Sequence, residues 1–141
     1  MRIQFLIPGE PVGKGRPRFT KAGCAYTPEK TVQYEKMVRY AYINTVRTQQ
    51  GSTMFADKVP VKATIYAFFK IPASWSKKKA AQAKNGELLP CVKPDADNIA
   101  KAILDALNGL AYKDDSVITE CTVIKKYSEV GHVTVLLEEV V

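Results

Sequence analysis

The chain has 141 residues, 46% of them hydrophobic, enough for one domain with a true core, and residues 1–141 are expected to form that single domain. No apolar run approaches the roughly 18 residues of a membrane span. Met1–Ile7 is too short for a signal peptide and lacks a cleavage site, and three scattered cysteines (Cys24, Cys91, Cys121) with one histidine (His132) exclude a disulfide or zinc framework. A soluble, cytoplasmic protein is therefore expected.

The net charge of +7 is unevenly spread. Residues 1–50 carry nine Lys/Arg against three acids, and residues 51–94 carry eight against two. Residues 95–141 carry four against nine. A basic body joined to a concentrated acidic segment is the pattern of cations holding a polyanion while carboxylates hold a metal against it.

Residues 2–7 alternate as a strand. Gly9 to Arg18 follows as a loop, with three glycines, two prolines and three cations. It is no P-loop, because Gly15 follows Lys14 where Ser or Thr is needed. Lys14, Arg16 and Arg18 are candidate phosphate contacts, weighed equally against a plain solvated loop. Thr27-Pro28 predicts a helix start, with Thr27 as N-cap and Pro28 in the first turn. The helix is expected to reach about Thr48, with Tyr34, Val38, Ala41 and Thr45 on one face beside Met37, and with Gln49 to Ser52 ending it. Tyr26, Tyr34, Tyr40 and Tyr42 favour core or interface packing over base stacking.

Val59 to Ile71 alternates as the clearest strand. Ser74-Trp75-Ser76 then caps a short helix from Lys77 to about Asn85-Gly86. Lys77, Lys78 and Lys79 oppose the helix macrodipole, so local stability does not explain them and phosphate contact is the preferred reading. Trp75 reads as a packing residue. A third helix follows Asp95, with Ile99, Ile103, Ala106, Leu107 and Leu110 as its buried stripe and Asn108-Gly109 as its stop. Ser116–Tyr127 and Gly131–Val140 read as strands joined by a hairpin turn at Ser128–Gly131, with His132 on the face of Thr134 and Leu136. The expected fold is an α/β (α+β) domain, a mixed sheet with helices packed on it.

The acidic segment carries the chemistry. Asp97, Lys101 and Asp105 fall at i, i+4 and i+8 on one helix face, Asp95 stands just outside the helix start, and Asp114-Asp115 follows its end. One aspartate suffices for an N-cap, and an Asp97–Lys101 pair contributes only a few tenths of a kcal/mol. Four carboxylates around one short helix exceed those needs. Converging carboxylates repel unless a cation such as Mg²⁺ sits between them. Asp105 is assigned to the helix surface. Leu104 points toward the Asp97 side, either toward a partner or beneath the following loop.

Lys93-Pro94-Asp95-Ala96-Asp97-Asn98-Ile99-Ala100-Lys101, Leu104-Asp105-Ala106-Leu107-Asn108-Gly109 and Tyr112-Lys113-Asp114-Asp115-Ser116-Val117 closely resemble the RusA family of Holliday junction resolvases. The resemblance is strongest over about residues 90–126, and looser at the Gly-Lys-Gly-Arg-Pro-Arg loop and the Ser-Trp-Ser-Lys-Lys-Lys stretch. It implies a RusA-like homodimer that binds branched DNA and four-way junctions. Catalysis by Asp95, Asp97, Lys101 and Asp115 is implied, with Asp95, Asp97 and Asp115 as ligands of Mg²⁺ (Mn²⁺ as a substitute) and Asp114 in a supporting place. The resemblance further implies paired symmetric nicks in recombination and repair, association with the nucleoid, no organic cofactor and no membrane partner. Two other readings stand beside it: a nuclease for flaps or other branched DNA, and a non-catalytic DNA-binding module whose acidic cluster is structural.

Overall fold

The computed structural model describes residues 1–49 and 51–140. Four strands build the main sheet: β1 (Arg2–Pro8), β4 (Val61–Lys70), β5 (Ile118–Ser128) and β6 (His132–Glu139), in the order β1-β6-β4-β5. A two-residue hairpin, β2 (Arg18–Phe19) with β3 (Ala25–Tyr26), lies apart from it. The helices are α1 (Glu29–Arg47), α2 (Lys77–Lys84) and α3 (Ala96–Ala106).

Strict alternation decides which face of the sheet is buried. Ile3, Phe5 and Ile7 of β1 are buried, as are Val61, Ala63, Ile65, Ala67 and Phe69 of β4 and Val133, Val135 and Leu137 of β6. α1 and α3 cover this face. Their buried stripes recur at helical spacing: Thr31, Tyr34, Val38, Tyr42 and Val46 on α1, and Ile99, Ala102, Ile103 and Ala106 on α3. Phe5 meets Tyr42 edge to face at 5.6 Å, and the Tyr42 hydroxyl donates to the Thr53 carbonyl. A truncation such as Ile103→Ala inside this layer would cost about 2–5 kcal/mol. Trp75 packs edge-on to Tyr127 at 5.2 Å, and the register of Tyr127 opposite Phe69 sets α2 against the same face.

β4 and β5 are parallel, which demands a long crossover. Residues 71–117 supply it, and it carries both α2 and α3. This departs from the expected hairpin: β5 and β6 are not neighbours. Both flank β4, one parallel and one antiparallel. Residues 129–131 step across the end of β4, where the Ile71 N–H donates to the Ser128 carbonyl and the Lys70 N–H to Glu10. The central strand must be the most apolar one, and β4 is; β5, expected as half of a hairpin, instead lies at the edge and has no fully buried residue.

Smaller differences have local causes. Pro28, not Thr27, occupies the N-cap of α1, without a side-chain cap. The stripe of α1 turns toward Tyr42 and Val46 in place of Ala41 and Thr45, leaving Met37 41% exposed. Gln50, part of the expected helix stop, lies outside the described residues. Ser76 caps α2 as expected, its hydroxyl accepting from the Lys79 N–H.

Candidate active site

The start of α3 is the centre of the arrangement. Asp95 holds the N-cap position in extended conformation, yet its side chain makes no capping hydrogen bond. Asp97 lies in the first turn and is exposed. Among the described residues, Asp95, Asp97 and Asp115 take part in no ion pair and no side-chain hydrogen bond. The two ordinary structural uses of these aspartates, a capping oxygen and an Asp97–Lys101 pair, are therefore not realised. Lys101 turns instead to Asp105, its Nζ 3.6 Å from Oδ2.

Asp114 and Asp115 separate cleanly. The Asp114 carboxylate caps a short 3-10 turn (Asp115–Val117) by accepting from the Ser116 N–H at 3.1 Å. Hydrogen bonding by the Ser116 hydroxyl, and then by its N–H, holds the Asp114 pKa below the ordinary aspartate value. Asp115 keeps a free carboxylate. The segment is tied back to α3 by Tyr112, whose buried hydroxyl donates to the Leu104 carbonyl at 2.7 Å. Burial raises the Tyr112 pKa, and the charges of Asp115, Asp105 and Asp114 add to it. The Leu104 side chain is partly buried against the core.

Among the described residues, no three Asp, Glu, His or Cys side chains gather closely enough to share one ion. Asp95, Asp97 and Asp115 are thus not a closed cage. Mg²⁺ does not need one, since it commonly takes one or two carboxylates and completes its shell with water and substrate phosphate. Unencumbered carboxylate oxygens at an exposed helix start suit such a hard cation.

The basic loop lies directly against this helix. The Lys14 N–H donates to the Asn98 carbonyl at 3.1 Å, and the Gly15 N–H to Thr31 Oγ1 at 2.9 Å. The two glycines around Lys14 make this approach feasible. A Cβ on Gly13 would stand 2.9 Å from the Pro94 Cβ, and one on Gly15 would stand 2.6 Å from Thr31 Oγ1. The glycines serve close backbone contact rather than a phosphate cradle.

Between the loop, the start of α1 and the segment entering α3 opens a cleft of about 780 Å³. Arg16, Arg18, Lys30 and Lys93 line it, together with Asp95. Lys30 had no motif to mark it in the sequence, and Lys93 stood only as the first residue of the stretch leading to Lys101; the fold sets both beside the loop. Lys14 is different. Its ammonium is engaged by Glu35 and lies 3.5 Å from Asp105, with its side chain 20% exposed. Burial acts to lower its pKa, but the bond and charge of Glu35 and the charge of Asp105 outweigh it and leave it raised. Asp105, expected on the helix surface, is 25% exposed because the loop packs over it.

Lys77, Lys78 and Lys79 do not line this cleft. Lys79 sits over the Trp75 ring at 4.1 Å from its centroid, and Lys77 borders a separate hollow with Trp75 and Glu129. Beyond Arg18, the β2–β3 hairpin exposes Phe19 (70%) and Tyr26 (48%). Nothing in the alternation of residues 18–26 signals that hairpin.

The chain matches the family described as "Endodeoxyribonuclease RusA" over residues 8–138. It belongs to the RusA family. The enzymes of that family are Holliday junction resolvases and depend on divalent metal, so the chain is an endodeoxyribonuclease. The reading of a non-catalytic DNA-binding module is thereby set aside. The chain is also 37% identical over 142 residues to "Uncharacterized protein YqaN" of Bacillus subtilis (strain 168), covering 98% of this chain and 96% of that one. No helix among the described residues is long and apolar enough to cross a membrane.

Proposed function

We propose that this RusA-family enzyme cuts four-way DNA junctions with Mg²⁺ (Mn²⁺ as a substitute), held by Asp95 and Asp97 at the start of α3, with water and substrate phosphate completing its shell and Asp115 acting through a bound water. The observation that carries this reading is the uncapped Asp95 carboxylate lining a cleft with Arg16, Arg18, Lys30 and Lys93, which form no ion pair among the described residues, with Asp97 exposed in the turn that follows. Bound there, the metal would polarise the phosphate and lower the pKa of attacking water.

The chain's own residues supply the rest. Arg16, Arg18, Lys30 and Lys93 hold the backbone of the arm entering the cleft, through phosphate contacts that position without reading sequence. The N–H groups of the first turn of α3 favour the phosphate at the same end. Lys101 stands one turn further along and stabilises charge developing on the phosphate oxygens and the leaving 3′-oxygen. Asp114 fixes the turn that presents Asp115. Lys14 anchors the loop rather than touching DNA. Lys77 and Lys78 contact an outer arm, with Lys79 steadied by Trp75.

The working unit in this reading is a homodimer, since opposed nicks in a two-fold symmetric junction need two sites and each chain has one acidic segment. A half-buried apolar face of the sheet supports self-association: Leu6, Tyr66, Phe68 and Leu136 lie opposite the helices, with Phe68 stacked on His132 at 4.4 Å. Light scattering is expected to give twice the 15.6 kDa chain mass. The deciding comparison is cleavage of a four-way junction, a flap and plain duplex with Mg²⁺ and with EDTA. Junction cleavage confined to Mg²⁺ supports the proposal, and preferential flap cleavage would replace it with a flap nuclease.

A further inference from the structure

The face of α3 that carries Lys101 is wired to the basic loop through one carboxylate. Asp105 Oδ2 lies 3.6 Å from Lys101 Nζ and 3.5 Å from Lys14 Nζ. Lys14 is fixed on its other side by Glu35 of α1, and its backbone N–H is bonded to the Asn98 carbonyl of α3. The row Glu35–Lys14–Asp105–Lys101 thus alternates in sign across three segments.

We infer that Asp105 is a positioning residue for Lys101, holding the lysine's ammonium toward its reacting place from a carboxylate that Lys14 itself fixes; this rests on the role of Lys101 proposed above. An isolated exposed i, i+4 pair would carry no such inference, because two long side chains lose entropy in pairing and gain little in water. Here the carboxylate is already immobilised. Asp105 is 25% exposed against 62% for Lys101, so only the lysine remains to be ordered. The direction of pairing is also informative. An acid four residues before a lysine is the better-oriented helix pair, which favours Asp97, yet Lys101 reaches forward to Asp105. Asp97 is thereby left free for a cation, and Lys101 is held back from collapsing onto it.

The test is a double-mutant cycle read as single-turnover junction cleavage, with junction affinity and thermal unfolding measured alongside. Asp105→Asn keeps the shape and removes the charge. It is expected to slow cleavage about tenfold, short of the 10²–10³ expected for Lys101→Ala, with affinity within about twofold of wild type. Asp105→Glu should recover part of the rate. In the Lys101→Ala background, Asp105→Asn should cause no further loss, an outcome that a purely structural role would not give. If Asp105→Asn cleaves like wild type while Lys101→Ala is inactive, the inference fails and the role of Lys101 stands. Equal tenfold losses with and without Lys101 would also overturn it. Full activity of Lys101→Ala would instead remove the underlying role of the lysine.

Discussion

Replacing Gly13 with alanine tests whether the basic loop is seated on α3. The added methyl would stand 2.9 Å from the Pro94 Cβ and 3.2 Å from the Asn98 Cβ. Neither neighbour is the free end of a flexible chain: one belongs to a proline ring and the other to the first turn of α3. Gly13 is not among the positive-φ glycines, so alanine meets no backbone strain. Reduced freedom in the unfolded chain would by itself stabilise by about 0.4–1 kcal/mol. Overpacking costs about 1–3 kcal/mol, so the steric effect wins and leaves a net loss of roughly 0.5–2 kcal/mol. For a chain of this size that lowers Tm by about 2–8 °C. The loop can relieve the clash only by lifting from α3, which breaks the Lys14–Asn98 bond and displaces Arg16 and Arg18. Thermal unfolding by circular dichroism should show the fall in Tm, and a gel shift on a four-way junction should show weaker binding. A Tm that rises, with affinity unchanged, would mean that the loop does not lie against α3.

Asp95→Asn, Asp97→Asn and Asp115→Asn should each abolish metal-dependent cleavage while leaving junction binding intact, because none attracts phosphate; loss of binding by folded Asp97→Asn would contradict the metal role. Asp114→Asn should retain cleavage, since asparagine also caps. Neutralising Arg16, Arg18 and Lys30 together should reduce the log–log salt slope of binding by roughly 0.9 per lost contact; an unchanged slope would place the DNA elsewhere. Buried tyrosines predict alkaline unfolding. Burial pushes Tyr42 up to about 12 and raises Tyr34 and Tyr112 as well. Their contribution is complete below the ordinary tyrosine value near 10 and is lost as pH rises through the folded-state values. Ultraviolet titration should show these three ionising together with loss of the helical signal, and smooth ionisation of all seven tyrosines in a folded protein would refute it.

Elements with strong periodicity were legible in the sequence. β4, α2 and α3 stand within a residue or two of expectation, because alternation, a Ser cap and an apolar stripe are local signals. The pairing of β5 was not legible. A short polar turn between two strands reads as a hairpin, and only the competition for a place beside β4 separates them. The stripe of α1 was misplaced because tyrosine is ambiguous: Tyr34 and Tyr42 are core while Tyr40 is 66% exposed. In the proposed site, the excess of aspartates over structural need was readable in the sequence, and among the described residues Asp95, Asp97 and Asp115 indeed take no structural partner. Lys14 and Asp105 were not readable, since their burial arises from the loop folding over α3, a contact between residues 91 positions apart. Charge alone could not distinguish the anchoring lysine from Arg16 and Arg18 beside it.

The most direct measurement maps the nicks. A four-way junction end-labelled in turn on each strand, incubated with the wild-type chain and Mg²⁺, should show cuts at symmetry-related positions on one opposed pair of strands. Asp97→Asn at saturating concentration should bind the same junction and leave all four strands intact. Cuts confined to a single strand, or undiminished cutting by Asp97→Asn, would contradict the account.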